Sequence, residues 1–211
     1  MDTKWQMAPG SRRATQGIER RLRWSTRTAR LRLLAFGWAL LYAAYRGYYA
    51  LGGTFGMFGT PISPSQWRLI NAVAAVLLVI AAVLPVATAG LWQRRHARTA
   101  LSALYWVIAV GCVMHALVDI TIRLLSMAGV LHMEFPHFAS IDRRSADLQD
   151  LLFNEPWFLG EGLLWGVLGW MELTSARARR LWLVSGIVAT AVLTVIGVLS
   201  AAGHIGRIII G

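Results

Sequence analysis

Apolar runs of about 20 residues recur five times along this chain, each long enough to cross roughly 30 Å of hydrocarbon. They cover Leu33–Leu51, Leu69–Trp92, Ala100–Met127, Pro156–Leu173 and Leu181–Ala202. Hydrocarbon offers no partner to a backbone N–H or C=O, so each run must bond within itself as a helix. The expected fold is therefore all-α: a polytopic integral membrane bundle of five transmembrane helices. Composition agrees. Of 211 residues, 56% are hydrophobic and 15% are charged, where a soluble domain carries about 25% charged.

The basic residues set an expected orientation. They gather in residues 1–32, through Lys4 and eight arginines, in Arg94, Arg95 and Arg98 after the second run, and in Arg177, Arg179 and Arg180 after the fourth. Cytoplasmic loops hold the excess of Lys and Arg, so the N-terminus is expected inside and the C-terminus outside. Two units follow: a basic cytoplasmic tail over 1–32, read as solvated and partly disordered, and a single transmembrane helical domain over 33–211. The formal charge of +11 is thereby spent on span ends. No aromatic-basic reader motif accompanies it, so nucleic acid is not an expected partner. The lipid bilayer is.

Between the third and fourth runs, Asp142–Phe153 reads as a short interfacial helix capped by Ser140 or Asp142. Asn154-Glu155-Pro156 then reads as a break, with Asn154 as N-cap of the fourth span. The loop Gly52–Pro61 is rich in glycine but lacks the GxxxxGK[ST] pattern of a phosphate cradle. Pro85 is expected to kink the second span. Cys112, the one cysteine, is expected to pack as a small hydrophobe.

Six ionisable residues fall inside or at the edge of these runs: Arg46, His115, Asp119, Arg123, Glu155 and Glu161. A charge at mid-membrane costs roughly 2.5–3.5 kcal/mol on insertion scales, so such groups face protein or a wet cavity. His115, Asp119 and Arg123 are spaced i, i+4, i+8 and share one stripe of a helix. On the expected topology Glu161 lies about 9 Å deeper than Glu155, and Arg46 about 7–8 Å below the outer boundary. All six then occupy the outer half of the membrane, with Arg68 and Asn71 at the outer start of the second span.

Such a layer points to a polar cavity opening outward. In that reading Glu161 is the catalytic acid, a carboxyl that can persist neutral and donate a proton, with Asp119 and His115 relaying it. Arg46, Arg123, Asn71, Glu155, Asn154, Trp157 and Tyr49 would bind the substrate, a lipid-soluble small molecule such as an isoprenoid. The likeness is to integral-membrane terpene cyclases by architecture only. The alternative is a non-catalytic accessory subunit or small transporter component bound to a membrane protein partner. Its charges would serve packing, as in Asp119–Arg123 and Glu161–Arg46 pairs. Tyr42, Tyr45, Tyr48, Tyr49, Trp67 and Trp157 read mainly as an interfacial aromatic belt, the other reading being an aromatic wall for an apolar or cationic ligand. A third reading is a haem or quinone redox protein. No metal or other cofactor is expected, since His132, Glu134 and His137 have only generic spacing.

Two stretches, Tyr48-Tyr49-Ala50-Leu51-Gly52-Gly53-Thr54-Phe55-Gly56 and Trp157-Phe158-Leu159-Gly160-Glu161-Gly162-Leu163-Leu164-Trp165, resemble segments of small uncharacterised actinobacterial multi-pass membrane proteins. The match covers about a tenth of the chain. That group often has a histidine at or near the position of Arg46. The resemblance implies a multi-pass protein of a bacterial plasma membrane and carries no activity. The dominance of arginine, with Lys4 the one lysine among 21 basic residues, fits a GC-rich genome of that kind.

Overall fold

The computed structural model describes residues 9–131, 137–203 and 205. Its order is α1 (Pro9–Ala50), β1 (Gly59–Pro61), α2 (Pro64–Ala87), α3 (Arg95–Met127), β2 (Phe138–Ile141), α4 (Arg143–Gln149), α5 (Glu155–Glu172) and α6 (Ala176–Ala201). A 3-10 turn over Ala89–Gln93 precedes α3, and a π-helical turn over Asp150–Asn154 joins α4 to α5.

The helices pack in the order α2, α1, α5, α3, α6. Three of them, α2, α3 and α6, are long and apolar enough to cross a membrane. Polar side chains gather on the three inner helices: α1 has Arg46 and four tyrosines, α5 has Glu155, Glu161 and Glu172, and α3 has His115, Asp119 and Arg123. Polarity thus tracks position. The most apolar helices flank the bundle, and protein buries only 17% of the apolar stretch of α2 and 6% of that of α6. A surface that apolar suits hydrocarbon and would associate in water.

Glycine lets α5 reach α3. A Cβ on Gly162 would stand 2.9 Å from the Ala109 carbonyl oxygen and 2.9 Å from the Val113 nitrogen. The two backbones meet there as small residues allow in membrane helix pairs. Below this contact Tyr105, Trp165, Leu168 and Trp92 form the buried core with Ala35 of α1. At that end Arg32 pairs with Glu172, and the Thr88 hydroxyl meets that of Tyr105.

Several expectations are corrected. The expected disordered tail is helical from Pro9, and α1 runs unbroken through positions 32 and 33. Arginine, alanine and glutamine are good helix formers, and Thr28 is already buried. The second span starts and ends about five residues early, because Ser63 caps it, Pro64 opens it and Thr88 closes it. Asn154 is not an N-cap. Its backbone is helical, and the Glu155 N–H reaches back to the Asp150 carbonyl. The missing N–H and the ring of Pro156 are absorbed by widening one turn to i→i+5. Asp142, not Ser140, caps α4. Ser140 lies in β2, which pairs antiparallel with β1 in the register Gly59↔Ile141 and Thr60↔Ser140. This small sheet ties the Gly-rich loop to the connection before α4, so both lie at one end of the bundle.

Candidate functional site

At the sheet end, α1, α2, α3, the two strands and the π-helical turn enclose a cavity of about 190 Å³. The Gly-rich loop forms part of its wall because Gly52 and Gly56 adopt positive φ, 94° and 80°, where a Cβ is strained. Gln149 of α4 holds the loop down, donating to the Tyr45 hydroxyl at 2.9 Å and the Gly56 carbonyl at 3.2 Å. Tyr49 donates to the Phe55 carbonyl at 3.1 Å.

Two guanidinium groups face this cavity, and they differ. Arg123 is held by α4 and the π-helical turn: its Nη1 lies 3.1 Å from Asp147 Oδ1 and its Nη2 2.7 Å from Asp150 Oδ2. Ser126 completes Asp147 at 3.1 Å, and the Asn154 amide donates to Asp150 at 2.6 Å. Arg46 donates from Nη1 to the Asn71 side-chain carbonyl at 3.1 Å and lies over the Tyr42 ring, 5.3 Å from its centroid. Its Nε is buried without a partner. Among the described residues no carboxylate lies within ion-pair distance of it. Asn71, fully buried, is anchored by donating to the Trp67 carbonyl at 2.9 Å.

The expected layer of charges therefore divides. Arg46, Arg123, Asn154 and Tyr49 line the cavity, and Asn71 stands behind Arg46. His115, Asp119 and Glu155 form a second group, with one donor atom from each within 4.8 Å of the others. His115 Nε2 is 3.6 Å from Asp119 Oδ2, and the ring packs edge-on against Phe158. Glu161 stands apart from both. It accepts the Trp165 indole N–H at 2.6 Å, one turn away on the same helix, and does not line the cavity. The Asp119–Arg123 and Glu161–Arg46 pairs expected for packing are replaced by bonds to Asp147, Asp150 and Trp165.

The tyrosines are not a simple belt. Tyr42 and Tyr49 are buried, Tyr42 against Trp157 and Phe158 of α5 and Tyr49 against Trp67 of α2 and the Gly-rich loop. Tyr42 stacks on Trp157, which stacks in turn on Trp38, and its hydroxyl donates to Asn154 at 3.2 Å. Tyr45, Tyr49 and Trp67 line the cavity. Sequence reasoning passed over Gln149 and gave Asp147 and Asp150 no role. Their i, i+3 spacing, with an arginine in the preceding apolar run to be balanced, was the available signal. Of the generic metal candidates, His137 is exposed, and His132 and Glu134 lie outside the described residues.

The chain matches no protein-family model, no curated protein and no solved structure.

Proposed function

We propose that this is a five-span membrane protein, N-terminus inside, whose outer end receives the anionic head group of a lipid-soluble molecule. Arg46 carries the proposal. A guanidinium that faces a cavity with a buried unpartnered Nε, and that pairs with no carboxylate among the described residues while Asp150 in the same wall is taken by Arg123, is an anion receptor in waiting. The sheet supports the orientation: it joins the loop after α1 to the connection after α3, which alternate crossing of the bilayer places on one side. On this reading α1 and α5 are spans whose charges face protein rather than lipid. Binding is favoured over acid catalysis by Glu161, since that carboxyl is outside the cavity and engaged by Trp165.

The test uses the purified full chain in nanodiscs, with short-chain phosphatidic acid and the matching diacylglycerol as probes. The expected result is retention of the phosphatidic acid alone. A hydrogen bond to a charged group contributes about 1.5–3 kcal/mol, so Arg46→Gln should weaken retention roughly 10- to 100-fold. Equal retention of both lipids, or no effect of Arg46→Gln, refutes the reading.

The accessory-subunit reading draws on Arg123, whose two carboxylates knit α3 to α4 and the π-helical turn. It predicts that Asp147→Asn lowers thermal stability and loosens a co-purifying partner, with lipid retention untouched.

A further inference from the structure

We propose that His115, Asp119 and Glu155 form a binding site for one divalent transition-metal ion. The site joins two elements. His115 and Asp119 are i, i+4 on α3 and so project from one face. Glu155 comes from the first residue of α5, placed there by the π-helical turn. One nitrogen and two carboxylate oxygens, all within 4.8 Å of one another, are a mixed donor set that suits zinc and its neighbours better than magnesium or calcium. Donors held at about 2.0–2.2 Å around zinc stand roughly 3.4 Å apart. His115 Nε2 and Asp119 Oδ2, at 3.6 Å, already have that bite.

A second observation points the same way. Glu155 is 3% exposed, and its Oε2 is buried with no hydrogen-bond partner. An orphaned buried carboxylate oxygen is costly, by about 1–3 kcal/mol or more when charged. It is more so beside a second carboxylate, since like charges repel strongly in a low dielectric. The nearest cation on α3, Arg123, is engaged by Asp147 and Asp150. A divalent ion would compensate Asp119 and Glu155 together. The His115 and Asp119 side chains are 36% and 23% exposed, so an ion would be reached from their side, while Phe158 packs edge-on against the imidazole.

This site is separate from the cavity around Arg46 and does not depend on what binds there. The experiment is titration of the purified, chelator-stripped full chain in detergent, first with Zn²⁺ and then with Co²⁺ as a spectroscopic stand-in. Expected are uptake of one Zn²⁺ per chain, a rise in Tm on loading, and visible Co²⁺ bands with a histidine ligand. Glu155→Gln and His115→Ala should each weaken uptake at least 100-fold, with helix content by circular dichroism unchanged. His137→Ala, which removes an exposed histidine outside the cluster, should bind as the wild type does. Folded wild-type protein that takes up no stoichiometric Zn²⁺ overturns the proposal, the two carboxylates then sharing a proton instead. So does uptake that His115→Ala leaves intact. If Glu155→Gln fails to fold, the Co²⁺ spectrum of the wild type, with or without an imidazole ligand, still decides.

Discussion

Glu161 and Trp165 show what a single buried hydrogen bond asks of a side chain. The Trp165 indole is fully buried, and the Glu161 oxygen is the acceptor of its N–H. Glutamine offers the same carbonyl geometry, so Glu161→Gln should keep the fold and the detergent Tm. Glu161→Leu strands the indole N–H and should cost about 1–3 kcal/mol, read as a lower Tm. A loss in the glutamine variant as large as in the leucine variant would show that the carboxylate charge, and not only the acceptor oxygen, matters. Asp142 makes a different kind of point at the surface. The Ser145 hydroxyl and backbone N–H hold its carboxyl below the usual carboxylate range. A group with a lowered folded-state pKa stabilises above its unfolded value and loses that contribution as pH falls through the folded one. The Tm gap between wild type and Asp142→Ala should therefore be present near neutrality and close in acid. A gap that persists in strong acid would mean the cap works without its charge.

Between elements, the contact of α3 with α5 is the most demanding. At Gly162 an added Cβ meets backbone atoms of α3 at 2.9 Å, and backbone cannot move aside as a flexible side chain can. Gly162→Val should overpack the contact and cost about 1–3 kcal/mol. At Gly166, one turn along, the nearest atom is the Ala109 Cβ at 3.6 Å, an ordinary contact. Gly166→Ala should be neutral or gain up to about 1 kcal/mol from the lost flexibility of glycine. Thermal unfolding of the two variants in one detergent checks the contrast, and equal effects would place the close approach elsewhere. The π-helical turn acts at this scale too. By widening at Pro156 it keeps α4 continuous with α5, and so turns Asp150 and Asn154 toward the cavity and Glu155 toward Asp119.

For the whole molecule, the proposed five-span topology predicts the sidedness of labels. In a Cys112→Ala background, Met57→Cys in the Gly-rich loop should react with an impermeant thiol reagent on intact cells. Ala97→Cys, in the basic first turn of α3, should react only after permeabilisation. Labelling of both from outside would reject the topology. Much of this architecture was legible before any contact was known. The apolar runs marked the helices, and the spacing of His115 and Asp119 put them on one face. The antiparallel pairing of Gly59–Pro61 with Phe138–Ile141 was not legible, because two short polar loops far apart in sequence carry no periodicity that announces a partner. Nor was the division of one charged layer into a cavity, a three-residue cluster and a lone acid.

That the chain is helical, apolar and charged at intervals was determined by the sequence alone, since hydrophobic run length and residue spacing are local properties. Which charges meet was decided only by the tertiary structure. The helix order, the close approach at Gly162 and the wide turn at Asp150–Asn154 gave Arg123 to Asp147 and Asp150, Glu161 to Trp165, and Glu155 to Asp119. The reason is physical: which side chains of different helices come within bonding distance is set by the rotation and depth of each helix, which no one-dimensional pattern records.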